Sequence, residues 1–243
     1  MVMRCIRAEM DKLRGAKIWW VFALLPLISA AYGTFNFMAN QEILTEGWYS
    51  LFTQHTLFYA LFFFSPMVGV YAAYLWRLEH LGGMHMLMTM PVPPLCLFAA
   101  KGVAMLVLTA ATQVWVFVLY AFCGRVICGL PGWPPAQILL YMARGLLGAL
   151  PIIALQLLLS MAIRSFAAPV LAALAGGVAG MMLVAKDVGL CWPYALVLLG
   201  MNANHAEDQL AGDAGAYALV CLGFAALFTL LAQVWLTRRD VRS

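Results

Sequence analysis

The residues best suited to work in this chain stand in one polar interruption of an apolar sequence, "WRLEHLGGMHMLMTMPVPP", Trp76 to Pro94. Glu79 supplies a carboxylate there, and His80 and His85 supply imidazoles. The two histidines are five apart, off the i, i+4 spacing that puts two metal ligands on one helical face, so a metal site is a poor reading. Leu78, Leu81, Met84 or His85, and Met88 fall at helical spacing. Gly82 and Gly83 weaken that helix in the middle, and Pro91 ends any helix that reaches it. A short helix beside a stiff "PVPP" elbow suits a docking surface, whereas a mere connection would be shorter and plainer. Glu79, His80, Gly82 and Gly83 are the docking candidates.

Arg144, in "LLYMARGLLGAL", is the one ionisable residue deep within an apolar run. An intramembrane charge normally faces a bundle interior or water and has a partner. It reads either as a residue of a transport path or subunit interface, paired with an acid such as Asp187 or Glu207, or as a side chain that snorkels to the boundary. His55 and His205 are isolated and read as ordinary hydrogen-bonding groups. No G-x-S-x-G, no H-E-x-x-H and no paired acids within one apolar run occur, so an enzyme is the weakest class. There is no G-x-x-x-x-G-K-[ST]; "GGVAG", Gly176 to Gly180, lacks the lysine. If ATP drives this protein, another chain binds it. The six cysteines contain no CxxC pair; Cys123 and Cys128 flank one loop and read as two unpaired thiols in preference to a disulfide. No cofactor is expected.

The surroundings of these residues are set by composition. Of 243 residues, 65% are hydrophobic and 10% charged, against roughly a quarter charged in soluble domains. Apolar runs long enough to cross a bilayer as helices occur at Ile18 to Met38, Leu51 to Trp76, Leu95 to Cys123, Ala136 to Ile163, Pro169 to Ala185, and Tyr217 to Leu236. The expectation is an all-α integral membrane protein of six transmembrane helices, forming a single transmembrane domain over residues 1–243. The charged first seventeen residues lack the pattern of a cleavable signal peptide, so the first span is expected to serve as the insertion signal. With the N-terminus in the cytoplasm, Arg4, Arg7, Lys12, Arg14, Lys17, Arg77, Lys101, Arg164, Arg238, Arg239 and Arg242 fall inside. Only Arg125 and Lys186 fall outside, with most of the acids. The positive-inside rule therefore places both termini in the cytoplasm.

Three segments outside the spans have a character of their own. Met3, Ile6, Met10 and Leu13 form one helical stripe within a basic segment, which predicts an amphipathic interfacial helix over residues 1–15. Residues 76–94 form the cytoplasmic segment between spans two and three. Residues 186–215 are external, and "WPYALVLLGM" in them, Trp192 to Met201, is too short to cross and reads as a re-entrant piece that protein must shield. Gly145, Gly148, Gly176, Gly177 and Gly180 permit close helix packing, within the chain or against a partner subunit.

Glu79, Gly82, Gly83, Leu87, Thr89, Pro91, Val92 and Lys101, in this order around the second span, resemble the pattern of ABC exporter permeases of the ABC-2 type. "RAEMDKLR", "GWYSLF", "FFFSPMVGVYAAYLWRLEH" and "LMTMPV" are similar to permease subunits of lantibiotic self-protection transporters. The resemblance implies a subunit in the bacterial cell membrane that pairs with a second permease, identical or not, and with two copies of a cytoplasmic ATPase. It implies that residues 76–94 hold the coupling helix, contacted by the ATPase through Glu79, His80, Gly82 and Gly83, with the N-terminal helix as a second contact. The implied cargo is a lantibiotic or similar amphipathic antimicrobial peptide, expelled to give immunity. The "PVPP" here departs from the basic or small polar residue that often follows the proline in that superfamily. The rival readings are an exporter of another amphipathic drug or lipid, and an ion-coupled secondary transporter; the latter usually needs several buried charges.

Overall fold

A computed structural model describes residues 2–82, 93–205 and 207–238. The described residues form helices joined by turns and loops, without strands, and include six helices long and apolar enough to span a membrane. The spans are Ile18–Ala39, Trp48–Gly82, Leu95–Ile127, Ala136–Ala162, Ala167–Val184 and Ala214–Thr237. A short helix α1, Val2–Lys12, precedes them. The first span is α2, Ile18–Ala39. The second consists of α3, Trp48–Phe58, and α4, Ser65–Gly82, joined through a π-helical turn at Tyr59–Phe64. Pro66, the second residue of α4, has no N–H to give to the preceding turn, and the widened turn accommodates the loss without breaking the span.

The third span is α5, Pro94–Phe122, extended by a π turn at Cys123–Ile127. The fourth and fifth are α6, Ala136–Ala162, and α7, Ala167–Val184. Two 3-10 turns, Gly189–Cys191 and Pro193–Ala195, lead into α8, Leu196–Gly200, and the last span is α9, Ala214–Arg238. Helix α6 is central and packs on α4, α5, α8 and α9; α4 also packs on α7, and α2 on α3 and α5. Large side chains of α3, α4, α5 and α6, among them Phe52, Tyr71, Trp76, Tyr120 and Tyr141, fill the core between them.

The five glycines named above all serve packing inside this chain. A Cβ at Gly145 would meet Met201, at Gly176 Tyr194, at Gly177 the Leu61 carbonyl, and at Gly180 the backbone of Ala195. Gly148 approaches Leu196 and Tyr217. Helix α8 and the turn before it are thus drawn into the bundle, and residues 193–203 are buried. Their backbone polar groups are shielded by protein, as a short segment among apolar spans requires. All six cysteines are free.

Candidate functional site

The segment that opened the sequence reading lies partly outside the described residues. Gly83, His85, Leu87, Thr89, Pro91 and Val92 fall there, with the short helix and most of the elbow. Helix α4 runs straight through Glu79 and His80 to Gly82, which is exposed. The His80 ring nitrogen Nε2 lies 2.9 Å from the Ser160 carbonyl oxygen, tying the end of α4 to the end of α6. Arg77 reaches the Phe166 ring, 5.8 Å from its centroid, just before α7.

Glu79 belongs to a cluster that sequence reasoning did not assemble. Lys101, seven residues after α5 begins, is fully buried. Its Nζ donates to Glu9 Oε2 at 2.8 Å, to Glu79 Oε1 at 2.9 Å and to the Leu75 carbonyl at 3.2 Å. It also lies 5.0 Å from the centre of the Trp76 ring. Lys12 Nζ donates to Glu9 Oε1 at 2.7 Å and to Glu79 Oε1 at 2.5 Å. Two ammonium groups thus face two carboxylates, and the clasp joins α1, α4 and α5 with no net charge. Burying ions costs several kcal/mol each, and only good geometry with further hydrogen bonds offsets that. Here each charge has at least two partners.

This arrangement adds a contact to the expected stripe of α1. Of the stripe, Leu13 is buried and Met10 packs against the core, whereas Met3 is 76% exposed. Glu9, outside the stripe, is 2% exposed. The helix docks on α5 through its ion pairs and through Leu13, because Lys101 offers a buried charge that must be matched. One signal was available. Lys101 follows an apolar stretch, and Glu9 and Glu79 are the two glutamates on that side of the spans.

Lys12 is outside the spans, and its titration follows from these contacts. Burial alone would lower its pKa, but the hydrogen bonds to Glu79 and Glu9 outweigh that and hold it above the usual 10.5. A raised pKa in the folded state gives stability that is complete below the ordinary value and lost as pH rises through the raised one. The part of the α1 attachment that Lys12 supplies is expected to be constant through neutral pH and to be lost above 10.5. Protease access to α1 across a pH series checks this; release at pH about 8, where lysine remains charged, contradicts it.

At the opposite end of the bundle, Arg144 is paired within the chain. Its Nη1 donates to both oxygens of Asp208, at 2.9 and 2.8 Å. The partner is neither Asp187 nor Glu207, the acids suggested by sequence. The choice is made by the loop after α8, where Asn202 sits at φ 50° with its side chain turned inward. Asn202 Nδ2 donates to Tyr49 Oη and to the Glu207 carbonyl, and its Oδ1 accepts from the Gln209 N–H. These bonds hold the loop so that Asp208 is presented to Arg144, and Asp208 Oδ1 also accepts from the Leu210 N–H. Tyr217 on α9 completes the corner; its hydroxyl lies 2.8 Å from the Arg144 carbonyl and 2.9 Å from that of Leu196. His55 is buried against Thr34, with its ring nitrogen 2.9 Å from Oγ1.

A model of the ABC-2 family of transporter proteins matches residues 5–180. The chain belongs to that family. No curated protein matches it. The ABC-2 permease is a multi-pass membrane protein and the membrane subunit of an ABC transporter, a class that is generally non-enzymatic and normally works with an ATPase subunit. The matched region of the permease contains all four clasp residues and Arg144, and ends before Asp208.

Proposed function

We propose that this permease belongs to an ATP-driven exporter in a bacterial cytoplasmic membrane, with both termini in the cytoplasm and two ATPase copies docked beneath it. A second permease, identical or related, completes the transporter. Its cargo is a lantibiotic or similar amphipathic antimicrobial peptide, moved from the membrane to the exterior. The lean of Lys and Arg toward the side of the termini supports the orientation. The observation that carries the reading is the clasp. It makes α1, the end of α4 and the start of α5 one unit, at the root of the segment between the second and third spans. A push on that segment by an ATPase is then delivered to three elements together. Glu79 is a positioning residue in this reading, and His80 and Gly82 lie beside it on α4. Residues 1–15 remain the interfacial helix and residues 186–215 the external closure.

The test is isolation of the tagged permease from its native cells in mild detergent, followed by identification of the proteins that accompany it. A soluble ATPase is expected with the native chain and much less of it with Glu79→Ala, while the amount of inserted permease is unchanged. Undiminished ATPase recovery with Glu79→Ala would remove that residue from coupling. Absence of any ATPase would favour ion-coupled transport, to be assayed in vesicles. In cells challenged with a lantibiotic, Arg144→Ala is expected to lose protection with the ATPase still bound. Full protection would confine Arg144 to anchoring the external loop.

A further inference from the structure

Beside the clasp, α1, α2 and α5 enclose a slot of about 350 Å³ that plays no part in the reading above. Its lining combines charged residues, Arg7 and Asp11 of α1 and Arg14 just after it, with apolar ones, Val107 and Ala111 of α5. Trp19, the second residue of the first span, belongs to the same lining. Its indole N–H donates to the Leu13 carbonyl at 2.8 Å, which fixes the ring in the wall. The slot therefore lies beside the start of the first span, with arginines and aliphatic surface both in its lining. It opens to the surroundings, since Trp19 and Val107 are each nearly half exposed.

We infer that this slot binds one anionic phospholipid, its phosphate on Arg7 and Arg14 and the upper part of an acyl chain along Val107 and Ala111. Charge complementarity decides the ligand class: arginines and aliphatic side chains lining one slot match a molecule with an anionic head and a hydrocarbon tail. Asp11 leaves room for the phosphate, because it engages only Nη1 of Arg14, at 3.4 Å. The remaining donors of that guanidinium and those of Arg7 are available to oxygen. Arginine is suited to this task, as its planar fork meets phosphate oxygens in pairs. The wall is preformed, because the Glu9 and Lys12 ion pairs hold α1 against α4 and α5. The lipid then bears on the same helix that the clasp holds. The inference rests on the membrane-spanning reading of α2 and α5, and not on the cargo or the ATPase.

The test uses the purified full chain in detergent, titrated with phosphatidylglycerol or phosphatidylcholine and weighed intact by native mass spectrometry. One phosphatidylglycerol is expected to bind in preference to phosphatidylcholine. Arg7→Gln with Arg14→Gln should weaken it by roughly tenfold to thirtyfold, on the scale of surface arginines near anionic lipid. Ala111→Phe, which adds bulk to the apolar lining and leaves both arginines in place, should weaken it as well. Both sets of variants avoid the clasp, and an unchanged unfolding temperature verifies that they fold. Equal binding of the two lipids overturns the inference. So does loss of binding in the arginine variant alone with glycerol phosphate bound as tightly as the lipid, which would make this a headgroup site only. If Ala111→Phe instead abolishes pairing with a second permease and leaves the lipid count unchanged, the occupant is protein and the assignment fails. Because the readout is lipid bound to an isolated chain, loss of the transport reading would leave it intact.

Discussion

Lys101→Met is expected to be the most damaging single substitution in this permease, destabilising it by about 3–5 kcal/mol, the usual cost of stranding a buried charge. Methionine nearly matches lysine in length and would fill the space, so the loss is electrostatic. Glu9 Oε2 would keep no ammonium partner, and the Leu75 carbonyl would lose its donor. Glu79 would be held by Lys12 alone. For a chain of this size the loss corresponds to a fall of roughly 10 °C in Tm. A second change, Glu9→Gln, removes the stranded carboxylate and is expected to restore part of the stability in the Lys101→Met background. Measured as a double-mutant cycle, the coupling between the two positions should exceed that between distant sites. A Tm within a degree or two of the native one, or additivity of the two changes, would mean that the clasp does not hold α1.

Gly148→Ala comes next. Helices α6, α8 and α9 meet where Gly148 and Gly200 face the Tyr217 hydroxyl. A Cβ at Gly148 would overlap both that hydroxyl and the Leu196 carbonyl, and one at Gly200 would overlap the hydroxyl and the Arg144 carbonyl. The obstacle is partly backbone, so rotamer changes cannot relieve it, and the cost is expected near 3 kcal/mol, the upper end for overpacking. Displacing α8 would also pull on the turn that presents Asp208 to Arg144. Gly223 in α9 is the control, since nothing lies within 4 Å of a Cβ built there. Gly223→Ala should be neutral or stabilising by up to about 1 kcal/mol through helix propensity. Thermal unfolding of the two variants side by side decides the matter: equal midpoints would show that the three-helix corner can expand.

The spans were legible because apolar length alone sets them. The sequence boundaries fall within a few residues of the helices at Ile18, Ala136 and Val184, and farther off at the end of the second span, where α4 continues past Trp76 to Gly82, and of the third, which a π turn extends to Ile127. The internal packing of the glycines at 145, 148, 176, 177 and 180 was readable as a tendency, but its partners were not, since most come from elements distant in sequence, as Met201 does for Gly145 and Leu61 for Gly177. The clasp was hidden for a different reason. Glu9 and Lys12 on a basic helix look like its wet face, and Lys101 looks like one more positive flank. Only the approach of α1 to α5 converts them into a closed set. Arg144 was marked by its depth, yet its acid was missed by one residue from Glu207, because the Asn202 turn depends on hydrogen bonds to Tyr49 and to the far side of its own loop.

The clasp also sets an order on biogenesis. Glu9 and Lys101 are 92 positions apart, and a ribosome working at roughly 5–20 residues per second needs about 5–20 s to travel from one to the other. Throughout that interval the principal counter-ion of Glu9 has not been made. The N-terminal helix must wait, solvated and undocked, until two spans have been threaded and a third has begun. The first helix to be synthesised is thus completed late, and its docking reports that the spans between have taken their places.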